Sequence, residues 1–412
     1  MDLLNLPIFI SLFLALYTLV LFFIAFFDDD IKVSKRLKKY MKVAIIVPAY
    51  NEEDTISGTL DSLLNLNYPK SRVKIYAVDD GSSDATWNVM QKYNSDKRVV
   101  LLHKENGGKA SAMNYAFEKI DKDTDIVGIL DADSFVKEDA LLEIVRAFRA
   151  RPELQAMTPA IKIYNPNAIV RFLQNAEYNL SVWLRKAFDN LGIIFIIPGP
   201  FSFYRKDALE IAGPWKHAHG TEDLEMGLRF QKLGFKVGNT TRAVVYTVSP
   251  DTFYKLYKQR LRWTFGFLNN VIDYKYMFFG KSNKALGWFA LPVSLISVLF
   301  SVYIFAYSFY HLLHFIYKKI EYWYNFGFSF SFSLPDLFFV NVNAVLWLAL
   351  VTVFVAAAAS FVGDRASGDR TLRLRDVLSY VLLYGFIAPV WLMSALVKTY
   401  RKSEVKWVKV NK

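Results

Sequence analysis

Two carboxylates separated by one small residue, Asp131-Ala132-Asp133, close an apolar run that begins at Gly128. Carboxylates are hard oxygen ligands, suited to Mg²⁺ or Mn²⁺ held by few protein groups while substrate phosphates complete the shell. Lys109 follows Gly107 and Gly108. The glycines permit close backbone approach, and the ammonium meets phosphate as a point charge. A nucleoside diphosphate fits both clusters. Gly-x-x-x-x-Gly-Lys-Ser/Thr and Gly-x-Gly-x-x-Gly are both absent, so ATPase and dehydrogenase readings lose their main support.

Further on, Gly220-Thr221-Glu222-Asp223 opens a helical pattern through Leu224, Leu228 and Phe230, with Thr221 at the N-cap. Acidic residues at a helix start have a dipole reading. The functional reading makes Glu222 or Asp223 a general base that deprotonates an acceptor hydroxyl as its oxygen attacks a sugar carbon. His217 and His219 stand nearby and read as structural. Gln259, Arg260, Leu261, Arg262 and Trp263 belong to an aromatic, cationic segment with no strong helix breaker before Gly266, which reads as an amphipathic helix in a membrane interface. Arg262 and Trp263 serve there equally well as a headgroup-depth anchor or as substrate contacts.

These residues need elements that bring them together. From residue 42 to about 250, short apolar runs alternate with helical patterns, the signature of βαβ units around a mostly parallel sheet. Runs at 43–47, 73–78, 99–103 and 126–130 are each followed at once by a polar or glycine-rich cluster. Right-handed crossovers bring all four clusters to the same sheet edge, where open α/β sheets place their ligands.

Of the 412 residues, 53% are hydrophobic, 17% aromatic and only 21% charged, so part of the chain must face lipid. Residues 3–27, 285–315, 340–362 and 377–397 are apolar runs of membrane-spanning length. There is no cysteine, which excludes disulfides, thiol catalysis and cysteine-ligated zinc. The net charge of +12 sits beside the apolar segments, which points to a membrane surface and anionic phosphates and away from nucleic acid. Lys32, Lys35, Arg36, Lys38, Lys39 and Lys42 follow the first run, so the positive-inside rule puts residues 40–250 in the cytoplasm and the amino terminus outside. The last run sets two rules against each other. A full crossing exports a tail carrying Lys398, Arg401, Lys402, Lys406, Lys409 and Lys412, whereas a re-entrant helix keeps that tail and the Arg365, Arg370, Arg373 and Arg375 loop inside. Its length favours the crossing. The expected division is a membrane helix at 1–30, a cytoplasmic domain at 40–250, interface helices at 251–280 and a membrane region with a basic tail at 281–412.

In these residues the chain resembles the membrane-integrated glycosyltransferases of family 2, which include hyaluronan, chitin, cellulose and poly-N-acetylglucosamine synthases. Val47-Pro48-Ala49-Tyr50-Asn51-Glu52 and Asp79-Asp80-Gly81-Ser82 resemble that family's uridine-binding segments, and Lys104-x-Asn106-Gly107-Gly108-Lys109 its diphosphate segment. Asp131-Ala132-Asp133 resembles the Asp-x-Asp metal motif, with Asp133 the direct ligand, and Thr221-Glu222-Asp223 the Thr-Glu-Asp motif, whose last residue is the base. Gln259-x-x-Arg262-Trp263 matches Gln-x-x-Arg-Trp, in which Arg meets the diphosphate and Trp helps form the acceptor site. The segment holding Gly199 and Tyr204 is similar to one placed beside the acceptor terminus. The resemblance implies a GT-A fold with a Rossmann-like, mostly parallel sheet, inversion at the anomeric carbon and Mg²⁺ or Mn²⁺. Its partners would be a UDP-sugar donor, a polysaccharide or lipid-linked acceptor and the lipids of the plasma membrane. Addition of one sugar to a lipid and a non-catalytic transporter or scaffold are the rival expectations.

Overall fold

The computed structural model describes residues 6–28, 37, 39–280, 283–328 and 344–403. Lys32, Lys35, Arg36, Lys38, Lys406, Lys409, Lys412 and the start of the run at 340–362 lie outside them. After α1 (Leu6–Phe26), the expected units appear in order. They are β1 (Val43–Ala49), α2 (Ile56–Leu64), β2 (Val73–Asp80), α3 (Thr86–Gln91), β3 (Val99–Lys104), α4 (Lys109–Phe117) and β4 (Ile126–Ile129). β1 pairs in parallel with β2 and β4, and β2 with β3. Successive side chains of a strand point to opposite faces, so β1 feeds two cores. Ile45 and Val47 meet Ile56 and Leu60 of α2, whereas Ala44 and Ile46 meet Met113 and Ala116 of α4. Burial on both faces explains the near-continuous apolar runs.

The second half is mixed. It contains β5 (Ser134–Val136), α5 (Ala140–Ala150), β6 (Leu154–Ile163), α6 (Ile169–Asn190), β7 (Ser202–Arg205), α7 (Lys206–Ala212), α8 (Glu222–Lys232) and β8 (Lys236–Thr247). β7 lies antiparallel between β4 and β6, β8 is parallel to β6, and β5 is antiparallel to β8. The eight strands run β3-β2-β1-β4-β7-β6-β8-β5. The expected parallel pattern therefore describes the first four strands, and antiparallel β7 then curls the sheet. That reversal serves the site. Phe201, just before β7, donates its N–H to the Ile129 carbonyl at 2.7 Å, which carries Gly199 to the end of β4.

Four helices among the described residues are long and apolar enough to cross a membrane. They are α1, Ala285–Phe326, Leu346–Ala366 and Leu374–Tyr400. The second begins with a π-helical turn at Ala285–Ala290 and continues as α10 (Leu291–Phe326), past the expected end at Phe315. It follows α9 (Phe253–Asp273) and precedes α11 (Ala344–Ala366) and α12 (Leu374–Tyr400). Exposed Phe13, Ile24, Phe309, Phe354 and Phe386 suit lipid and not water.

Helix α6 joins the two parts. Its Trp183 packs edge-on to Phe22 of α1. A Cβ on Gly363 of α11 would lie 2.1 Å from the Asn179 carbonyl oxygen, so α6 and α11 cross at backbone contact. Helix α12 runs beside α9, where Ala388, Trp391 and Ala395 pack against Leu261, Phe265 and Leu268. Asp376 at its start accepts from Asn175 of α6 at 2.9 Å, and Thr399 near its end accepts from Asn269 of α9 at 3.3 Å. Both ends of α12 are thus tied to helices that pack on the sheet domain.

Candidate active site

The clusters that follow the strands are laced together. Asn51, at a positive φ of 56°, donates its N–H to Ser82 Oγ at 2.9 Å, and its Oδ1 accepts from the Ser83 N–H at 2.8 Å. Pro48 and Ala49 lie in register with Val78 and Asp79, which sets Tyr50 beside the end of β2. The Glu52 side chain accepts from Thr55 Oγ1 at 2.7 Å. Asp79, fully buried, meets His103 Nδ1 at 2.7 Å. Asp80 accepts from Lys104 Nζ at 2.8 Å, the Gly107 N–H at 3.1 Å and the Gly108 N–H at 2.7 Å. Its carboxylate holds the glycine turn, and Gly108, at φ 83°, then launches α4 with Lys109 as its first residue.

Lys109 reaches both Asp131 and Asp223. Its Nζ lies 2.8 Å from Asp131 Oδ1 and 3.6 Å from Asp223 Oδ2. The Gly199 N–H donates to the same Asp223 oxygen at 2.8 Å. The other oxygen, Oδ1, is buried with no hydrogen-bond partner among the described residues. Leaving a carboxylate oxygen desolvated and unpaired is costly, and such an atom calls for a donor from outside the chain. Burial pushes the Asp223 carboxyl up to about 6; Lys109 opposes this, and Asp131 and Glu222 add to it. Burial, with Asp131 and Glu52, pushes Asp133 up to about 7. Burial also disfavours the Lys109 ammonium, but Asp131, Asp223 and Glu222 outweigh it and hold the group protonated.

A divalent cation fits this donor set. Asp131 and Glu52 both bear on the Asp133 carboxyl, and all three are hard oxygen donors. Among the described residues no group of three or more His, Cys, Asp or Glu is placed to hold a metal ion, so the chain itself offers at most the Asp131 and Asp133 pair. Two carboxylates completed by substrate phosphates are the arrangement Mg²⁺ favours.

The loop leading into α8 rests on α9. Thr221 occupies the expected N-cap position of α8 but makes no capping bond; its hydroxyl donates to the Ala218 carbonyl at 3.1 Å. Asn270 Nδ2 donates to Thr221 Oγ1 at 2.9 Å, and Arg262 Nη1 to the Gly220 carbonyl at 3.0 Å. A Cβ on Gly266 would lie 2.3 Å from Thr221 Oγ1, so only glycine lets α9 approach this closely. Helix α9 accordingly continues through Gly266 without a break. Arg262, Gly266 and Asn270 recur every fourth residue on one face, and that spacing is the signal from which Asn270 and Gly266 could have been found. Arg260 pairs with Glu177 of α6 at 2.7 Å and lies 4.3 Å from the centre of the Trp263 ring, which is 36% exposed. Gln259 Oε1 accepts from Arg260 at 3.1 Å.

Two residues are placed differently from the expectation. Tyr204 is 1% exposed, with its ring against Trp215 and Phe230, and so it is a core residue lying behind the site. Glu222 is buried, 4.0 Å from His217, while Asp223 alone of the two meets Gly199 and Lys109. His219 pairs with Asp273 at 2.9 Å, a structural contact within the α9 interface.

A curled mixed sheet with paired carboxylates, a lysine and a carboxylate at a helix start on one edge defines a glycosyltransferase of the GT-A fold. The chain belongs to glycosyltransferase-like family 2, whose family model matches residues 41–266. It is similar to the poly-beta-1,6-N-acetyl-D-glucosamine synthase of Staphylococcus epidermidis, 31% identical over 265 residues that cover 63% of each chain. The enzyme of the same name from Staphylococcus aureus strain MSSA476 is 30% identical over 274 residues, 65% of this chain and 66% of that one. The match thus spans just under two thirds of these relatives' length. A mannosyltransferase from Pyrobaculum calidifontis, solved with GDP-Man and Mn²⁺, shares the fold, with a TM-score of 0.60 and 19% identity over 98% of this chain and 100% of that one.

Proposed function

We propose that the chain transfers N-acetylglucosamine from a UDP-linked donor to a growing polysaccharide at the cytoplasmic face of the plasma membrane, with inversion and with a divalent cation. The observation that carries the reading is the unpaired Asp223 oxygen beside Lys109 and Asp131. The staphylococcal relatives support the choice of sugar. Asp223 accepts the acceptor hydroxyl's proton as that oxygen forms a bond to the anomeric carbon, whose bond to the diphosphate breaks. Lys109 and Arg262 take up the charge that develops on the departing diphosphate. Asp131 and Asp133 would hold Mg²⁺ or Mn²⁺, which supplies further charge neutralisation when bound. Asp80 acts through the Gly107 and Gly108 turn, Pro48, Tyr50 and Glu52 line the nucleoside end, and Gln259 and Trp263 face the acceptor. Incubating the purified chain with UDP-N-acetylglucosamine tests this reading. A ladder of long polymers is expected, and a single sugar on a lipid would replace polymerisation by the lipid-transfer alternative.

The pH dependence follows from burial. The base works ionised, and its carboxyl titrates at about 6 instead of the ordinary 3.8. Transfer should therefore rise with pH on the acid side, with a midpoint of kcat/KM near about 6. A limb already flat at pH about 5 would remove Asp223 from the role of base.

The contacts of α12 favour a basic tail on the same side as the catalytic domain, with three crossings before it. A carboxyl-terminal tag should then stay inaccessible to extracellular labelling in intact cells; labelling without permeabilisation would restore the full crossing.

A further inference from the structure

The arginine loop between α11 and α12 plays no part in the chemistry above. It docks where β6 and β8 end and, with them, borders a half-open cleft of about 410 Å³. Asp364 at the end of α11, Asp369 in the loop and Asp376 at the start of α12 make inward contacts, and of their oxygens only Asp376 Oδ1 is buried without a hydrogen bond among the described residues. Asp364 takes the fully buried Lys162 ammonium at 2.8 Å and the Thr371 N–H at 3.0 Å. Asp369 takes the Tyr246 hydroxyl, and Asp376 takes Asn175 and the Arg373 N–H, each at 2.9 Å. Arg370, Arg373 and Arg375 line the cleft with Asn165, Tyr246 and the buried Asp376. Three arginines against one carboxylate leave the lining net cationic. Arg375 is spoken for, 4.0 Å from the centre of the Phe172 ring and 3.5 Å from Asp376. Arg370 and Arg373 are exposed and have no ion-pair partner among the described residues.

The surroundings identify the class of anion. The cavity lies where two long apolar helices meet the sheet domain. Leu374, Leu378, Leu382 and Phe386 follow at every fourth residue of α12 and are 65%, 50%, 63% and 71% exposed. A line of exposed apolar side chains leading away from unpaired guanidiniums matches a molecule with a phosphate at one end and acyl chains at the other. A soluble phosphate would make no use of that line.

We propose that the cleft between the β6 and β8 ends and the arginine loop is a headgroup site for an anionic phospholipid. Arg370 and Arg373 hold the phosphate, and the acyl chains lie along Leu374, Leu378 and Leu382.

The test uses the full chain in nanodiscs of phosphatidylcholine containing a minor fraction of phosphatidylglycerol, with retained lipid counted by native mass spectrometry. The wild type should retain phosphatidylglycerol. Arg370→Gln with Arg373→Gln should lower that retention on the order of tenfold, with an unchanged unfolding temperature. Leu378→Gln, which keeps every arginine, should also lower it and so guards against a misfolded double variant. Inorganic phosphate should not displace the lipid. Equal retention by wild type and both variants would overturn the proposal, and displacement by inorganic phosphate would overturn it in favour of a soluble-anion site.

Discussion

Asp223→Asn is expected to lower sugar transfer by about a hundred- to ten-thousand-fold while leaving donor affinity within a few-fold of the native value. Asparagine has nearly the same shape, and its carbonyl oxygen can still accept from the Gly199 N–H, which donates to Asp223 at 2.8 Å. The loop that carries it keeps its supports, since Asn270, Gly266 and Arg262 act on Thr221 and Gly220 and not on the carboxylate. What is lost is the proposed proton acceptor. The oxygen buried without a partner becomes either an amide N–H or a neutral carbonyl, and neither takes a proton from a hydroxyl. Radiolabel incorporation read against calorimetric UDP binding separates the two effects. Native-rate transfer by this variant would show that another group is the base, and loss of UDP binding in parallel would show that the substitution acts on the donor site.

Gly199→Ala should cost about a hundredfold in kcat without unfolding the protein. The added methyl would lie 2.6 Å from Lys109 Nζ, 2.9 Å from Asp131 Oδ1 and 3.0 Å from Asp223 Oδ2. The lysine tip can move aside. The two carboxylates cannot, because one follows directly on the end of β4 and the other stands at the start of α8. The methyl therefore displaces Asp223, Asp131 or both by a fraction of an ångström, and misplacement of about 1 Å is enough for a hundredfold loss. It points into the cleft and not into a core, so the unfolding temperature should barely change. Gly385→Ala is the control, since a methyl there meets nothing within 4 Å and kcat should not move. Native kcat for Gly199→Ala would mean that these three side chains are not set against one another during the reaction.

The parallel half of the fold was legible because each strand is buried on both faces and reads as an unbroken apolar run. The strands from β5 to β8 were not. β5 and β7 are too short to show a period, with three and four residues, and β8 carries Thr240, Thr241 and Arg242 between its apolar ends. Of the site, the carboxylates and Lys109 could be picked out because their residue types and glycine neighbours have few structural uses. The support beneath them could not be seen. Asn270 and Glu177 are ordinary helix residues until folding puts them beside Thr221 and Arg260. Tyr204 was misread for the opposite reason, as an aromatic in a promising segment whose strand turns it inward.

The central claim is that a divalent cation at Asp131 and Asp133, a base at Asp223 and a phosphate-binding Lys109 act in one hollow. UDP release by the purified full chain from UDP-N-acetylglucosamine, measured with Mn²⁺ and again after chelation, tests it most directly. Release that requires the cation and disappears in both Asp133→Asn and Asp223→Asn is the predicted result. Equal release with and without the cation, or none from any UDP-sugar, would contradict it.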